Sequence, residues 1–177
     1  MGFLYCLVSI GFSAESSSLP VTGAQKALPT VEFEKDAKGK LKRMDFSLGI
    51  KALSHPDYLF AHFAQKKTVI FYFSAKCIHC QKAFPVIQKL ANELQAQNIQ
   101  VVAIAVKNNT EGDVRDFIRQ YRCSLPVFHD SEKKFSSVYG TGSIPLVIYV
   151  NERGEYIRFK RFNANTTPNQ ILNLAGH

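Results

Sequence analysis

The chain has 177 residues, 46% of them hydrophobic, with 14 Phe and 7 Tyr. A chain of that size buries enough apolar surface to fold without disulfides or metal, and its composition excludes a disordered polypeptide. Lys and Arg number 22 against 14 Asp and Glu, a net charge of +8, but no basic helix or aromatic-studded stripe concentrates it. The excess reads as solvated surface and not as a nucleic-acid footprint, the four cysteines are too few and too unevenly spaced for a disulfide scaffold, and no apolar run reaches the ~18–20 residues that span a bilayer.

Met1 to Ala14 is apolar from Phe3 to Phe12 and closes on small residues. Residues 1–14 therefore read as an export signal peptide or, lacking a Lys or Arg at the start, as a weak membrane anchor. Either implies an oxidising compartment outside the cytoplasm, such as the periplasm. Residues 15–30 carry Ser, Pro, Thr and Gly without periodicity and read as a flexible linker, leaving 31–177 as the folded domain.

Val31 to Phe33 and Leu41 to Phe46 flank the polar turn Lys35 to Lys40 and predict a β-hairpin. Tyr58 to Gln65 predicts a short helix with Tyr58, Leu59, His62 and Phe63 inward. Thr68 to Phe73 is a continuous β-branched and aromatic run, the pattern of a strand covered on both faces. Cys77 to Gln97 follows with Phe84, Ile87, Leu90, Ala91 and Leu94 at helical spacing, and Ile99 to Val106 predicts a second buried strand. Thr110 and Asp113 have the spacing of a capping box opening a helix that carries Val114, Phe117, Ile118 and Tyr121. Val127-Phe128 predicts a short strand, Ser131 to Tyr139 a short helix, and Leu146 to Val150 with Tyr156 to Phe162 a hairpin turned by Asn151 to Gly154. Arg158 and Lys160 share one face of that last strand and read as a solvated edge. Thr167-Pro168 has the N-cap and first-turn order of a final helix ending near Gly176. This alternation predicts an α/β fold, a central mixed sheet with helices on both faces.

Chemistry concentrates in Cys77-Ile78-His79-Cys80, placed where a buried strand turns into a helix. Residues three apart share a helix face at a separation that a disulfide can bridge. A helix N-terminus carries a partial positive charge and free amides, which favour a thiolate at Cys77; His79 and Lys76 add to that bias. Cys77 is then the attacking sulfur and Cys80, one turn inside, the resolving one. A Cys-x-x-Cys pair is also half of a zinc site, and the missing ligands would come from Cys123 and His129 or from His62, although no second Cys-x-x-Cys or His-x-x-x-His pair exists. A purely structural disulfide over so short a step would close little loop entropy. Cys123, left over once Cys6 is removed, reads as a half-buried small hydrophobe. His55, His62, His129 and His177 show no ligand spacing.

Phe71 to Cys80, followed by Pro85, resembles the active-site strand and first helix of thioredoxins, and Gly142-Ser143-Ile144-Pro145 before the apolar strand Leu146 to Val150 resembles their cis-proline loop. The likeness runs from about Thr68 to Ala175. The stretch from Thr110 to Val127, an added helix and strand before that loop, is similar to the exported TlpA-like and ResA-like thioredoxins. The resemblance implies a thioredoxin-like fold and thiol:disulfide exchange with protein substrates, which Ile144 and Pro145 would present to the cysteines. It implies no bound cofactor and no metal, only a redox partner protein that resets the Cys77–Cys80 pair. Several members of that group keep apocytochrome c cysteines reduced for haem attachment. Lys76 stands where the family has Trp, and Phe71 where it has a buried acid. His79 resembles the oxidising DsbA-like enzymes, whereas Ile144 before Pro145 resembles thioredoxin, a reductant. The direction of electron flow is thus open between reductase and oxidase or isomerase. A thioredoxin-fold binding or maturation factor without redox turnover is the reading from another class.

Overall fold

The computed structural model describes residues 31–159, 162, 170, 171 and 173. The expected signal or anchor (1–14), the linker (15–30), Lys160 and most of the final helix lie outside them. The sheet is built on β3 (Thr68–Phe73), every residue of which is buried. It pairs in parallel with β4 (Gln100–Ala105), from Thr68↔Gln100 to Phe73↔Ala105. On its other side it runs antiparallel to β6 (Leu146–Val150), from Thr68↔Val150 to Tyr72↔Leu146. With β1 (Val31–Phe33), β2 (Lys51–Ala52), β5 (Val127–His129) and β7 (Tyr156–Phe159) the seven strands are ordered β1-β7-β6-β3-β4-β5-β2.

Alternation along β3 divides the core. Val69, Phe71 and Phe73 face one side, packed with Phe84, Ile87 and Leu94 of α1 (Ile78–Gln95), Val114 and Phe117 of α2 (Glu111–Gln120), and Ile171. Ile70 and Tyr72 face the other, with Phe60, Phe63, Phe128, Phe135 and Tyr139. Tyr139 closes α3 (Ser136–Tyr139). Strands covered on both faces and helices on both sides make the predicted α/β mixed sheet.

Several expectations are corrected by pairings that lie far away in sequence. The N-terminal hairpin survives only as a Lys35↔Leu41 bridge around a tight turn, in which Asp36 Oδ1 accepts from Lys38 N (2.8 Å) and Lys40 N (2.9 Å). Val31–Phe33 pairs instead with β7, Val31↔Phe159 to Phe33↔Ile157, and Arg43↔Glu155 continues that edge. The segment 34–42 is looped out between these two contacts, because the open edge of β7 satisfies more backbone groups than a free hairpin would. Arg158 is correspondingly buried and not a solvated edge; it pairs with Glu34 and lies over the Tyr156 ring at 5.7 Å. The helix expected over 58–65 is a single 3-10 stretch, Phe60–Phe63. Three residues per turn bring Phe60 and Phe63 inward together, while Tyr58, Leu59 and His62 are exposed. The helix expected from Ser131 begins only at Ser136, because Asp130 accepts the amides of Phe135 and Ser136 (both 2.9 Å) and Lys133 takes a left-handed φ of 59°. β2 has no counterpart among the predicted elements.

Candidate active site

Phe73 ends β3, and the chain turns through Ser74–Lys76 into α1. Cys77 is the N-cap residue of that helix, with extended backbone (φ −89°, ψ 117°), and its Sγ accepts the Cys80 amide at 3.4 Å. A cysteine thus occupies the place usually taken by Ser, Thr or Asp, facing the unsatisfied amides of the first turn. Gln81 N donates to Cys77 O (2.9 Å) and Cys77 N to Ser74 O (3.1 Å). Cys77 is half-buried and Cys80 fully buried, and both are unbonded thiols. Burial pushes the Cys80 thiol up to about 12, and Cys77 beside it pushes the same way, against a lowering hydrogen bond with the Ser74 backbone. The two sulfurs therefore differ in access: Cys77 lies half-exposed at the helix terminus, and Cys80 is enclosed in the core, where burial holds its proton on.

The loop is braced by a side chain that sequence reasoning missed. Asn109 is buried; its Oδ1 accepts Ala75 N (3.0 Å) and its Nδ2 donates to Ser74 Oγ (3.2 Å). Ser74 Oγ also accepts Lys76 N (3.2 Å), and Gln81 Nε2 donates to Ala75 O (2.7 Å). The one hint was Asn108-Asn109 before the Thr110 cap, at a strand-to-helix turn. That cap forms as the spacing predicted: Thr110 Oγ1 accepts Asp113 N (3.1 Å) and Asp113 Oδ2 accepts Thr110 N (2.7 Å).

The other singled-out residues are placed less uniformly. Lys76 extends to Asp113, 2.8 Å from its carboxylate, and this ammonium together with Thr110 holds Asp113 down at about 2. Its charge is thus engaged with α2. His79 and Ile78 are exposed on the first turn of α1. The Ile144–Pro145 peptide is cis. Leu146↔Tyr72 pairing sets Pro145 beside the C-terminal end of β3, where the chain leaves for Cys77, and Ile144 packs against both halves of the core, Cys77 belonging to one of them. Gly140 leads into this loop at a point where a Cβ would meet Ser136 O at 2.5 Å. Cys123 is half-buried; its thiol is raised to about 11 by burial, and its Sγ donates to Leu125 O at 3.8 Å. His129 is buried in β5, His62 is exposed, and among the described residues no three His, Cys, Asp or Glu side chains form a group able to hold a metal ion.

A cysteine pair at the start of the helix that follows a central strand, on a mixed sheet with helices on both faces, defines a thioredoxin-like protein. The family described as AhpC/TSA matches residues 41–158, about two thirds of the sequence, and the chain belongs to that family. It is 28% identical over 87 residues to the thiol-disulfide oxidoreductase ResA of Halalkalibacterium halodurans, covering 49% of each chain. It is 25% identical over 97 residues to the sporulation thiol-disulfide oxidoreductase A of Bacillus subtilis, covering 54% of this chain and 59% of that one. The chain thus spans about half the length of these curated relatives. Among solved structures, a secreted thiol-disulfide isomerase from Corynebacterium glutamicum superposes with a TM-score of 0.65 at 18% identity, over 86% of this chain and 92% of that one. StoA from Bacillus subtilis superposes with a TM-score of 0.54 at 19% identity, over 82% and 98%. These likenesses establish a shared fold. No helix among the described residues is long and apolar enough to cross a membrane.

Proposed function

We propose that the protein is a thiol:disulfide oxidoreductase acting on protein substrates outside the cytoplasm, with Cys77 as nucleophile and Cys80 as resolving thiol. The asymmetry of the pair carries this reading: Cys77 Sγ at the helix N-terminus and half-accessible, Cys80 fully buried with its thiol raised to about 12. In the reducing direction, Cys77 thiolate attacks one sulfur of a substrate disulfide and expels the other as a thiolate. Cys80 then loses its proton and attacks Cys77 Sγ, releasing the second substrate thiol and leaving the Cys77–Cys80 disulfide. Two electrons pass to the substrate, and a partner protein must return them. Ile144 and Pro145, beside the end of β3, present the substrate chain, and His79 on the exposed first turn tunes the pair. Lys76, engaged by Asp113, contributes less to the sulfur than its sequence position implies. The finer reading is a reductase, with apocytochrome c among its substrates. It is supported by the likeness to proteins named ResA and by Ile144 before Pro145. Export is supported by the apolar Met1–Ala14 segment, which also allows weak anchoring at a membrane, and by the secreted structural relative.

Reduction of insulin by dithiothreitol is expected to accelerate in the presence of the protein and to lose that acceleration in Cys77→Ala. Cys80→Ala is expected to accumulate covalent mixed disulfides, since attack survives and resolution does not. Wild-type activity in Cys77→Ala, or no adduct in Cys80→Ala, would overturn the assignment.

A further inference from the structure

A cavity of about 470 Å³ opens at the end of the sheet where β3 and β4 finish and β6 begins, within the size range of ligand pockets, ~300–1,000 Å³. Two lysines, Lys107 and Lys133, line it with the hydroxyl residues Ser137, Thr141 and Ser143, and no carboxylate contributes to its wall. Both lysines are exposed, and neither has an acidic partner among the described residues. Glu132, next in the chain to Lys133, is taken by Lys134 at 3.0 Å. Asp130, behind the wall, is fully buried, and its carboxylate oxygens accept Phe135 N (2.9 Å), Ser136 N (2.9 Å) and the Tyr72 hydroxyl (3.3 Å), so three donors already answer its charge. The cavity is tied to the cysteine loop on two sides. Ile144 lines it directly before Pro145, and Asn109, one residue past the Lys107–Asn108 wall, grips Ser74 and Ala75.

We propose that this cavity is a subsite for carboxylate side chains in an acidic peptide segment flanking the substrate's disulfide, an inference that rests on the thiol–disulfide chemistry proposed above. Two unpaired ammonium groups beside hydroxyl donors, in a concave wall without carboxylates, match an acidic side chain and repel a basic one. The chain's net charge of +8 attracts the same class of substrate from a distance.

The test uses the full chain, reduced beforehand and freed of reductant, and reads the second-order rate of its oxidation by four disulfides. These are 2-hydroxyethyl disulfide, a peptide disulfide flanked by Glu, and the same peptide with Gln or with Lys in place of Glu. The Glu peptide is expected to react about tenfold faster than the Gln peptide at low salt, a difference of ~1.4 kcal/mol. Lys107→Gln/Lys133→Gln is expected to abolish that preference while leaving the rate with 2-hydroxyethyl disulfide unchanged; Gln at 133 meets the same left-handed backbone as Lys. Lys107→Glu/Lys133→Glu is expected to invert the preference towards a Lys-flanked peptide. Equal rates for the Glu and Gln peptides in the wild type, or a preference that survives in the double Gln variant, would overturn the subsite alone. No reaction with 2-hydroxyethyl disulfide would overturn the redox reading and the subsite with it.

Discussion

Replacing Asn109 by Ala removes the two hydrogen bonds that hold the cysteine loop to the segment after β4. Asn109 Oδ1 is the acceptor for Ala75 N at 3.0 Å, and Nδ2 donates to Ser74 Oγ at 3.2 Å, in surroundings closed to solvent. Ser74 Oγ keeps its bond from Lys76 N (3.2 Å), so the main loss falls on the Ala75 amide. A buried amide left without an acceptor costs ~1–3 kcal/mol, so the expected destabilisation is about 2 kcal/mol. At ~3 °C per kcal/mol for a domain of this size, Tm falls by about 6 °C. Urea unfolding of the reduced protein at constant m, with the alkylation rate of Cys77 measured in parallel, tests both the brace and its reach. If Asn109→Ala shifts stability by less than about 0.5 kcal/mol, an amount ordinary for an exposed site, the bracing argument is wrong.

The remaining expectations concern neighbouring groups. A Cys80 thiol held at about 12 is almost wholly protonated at neutral pH, and its thiolate fraction rises ~tenfold per pH unit below that value. Resolution of a trapped mixed disulfide, followed by acid quench between pH 6 and 9, is therefore expected to accelerate with pH; a flat profile would remove Cys80 deprotonation from the slow step. Because the Lys76 ammonium lies 2.8 Å from Asp113, Lys76→Ala is expected to change the Cys77 alkylation rate by less than about threefold, in line with the small effect of screened surface charges. A larger drop would restore Lys76 as an activator of the thiolate. Gly140→Ala would set a Cβ 2.5 Å from Ser136 O, a backbone atom that cannot swing aside, and is expected to cost about 2 kcal/mol by denaturant unfolding; a neutral result would show that α3 moves freely.

What the sequence determined by itself is whatever is local and periodic. Thr68–Phe73, Gln100–Ala105 and Leu146–Val150 read as buried strands because burial on both faces leaves an unbroken apolar run. The inner face of α1, from Phe84 to Leu94, follows from 3.6-residue spacing, and the Thr110–Asp113 box from its three-residue step. The Cys77–Cys80 pair was legible for the same reason, being a feature of one helix turn. Tertiary structure alone decided which edges meet and which polar groups answer one another. The partner of Val31–Phe33 is β7, more than a hundred residues away, and the same pairing turns Arg158 from an edge charge into a buried one bound to Glu34. Asn109 meets the cysteine loop 34 and 35 residues upstream, and Lys76 finds Asp113 instead of Cys77. Hydrophobic period reports the direction a side chain faces, but it carries no information on what faces it from another strand. That is set by sheet order and by the requirement that every buried donor find an acceptor.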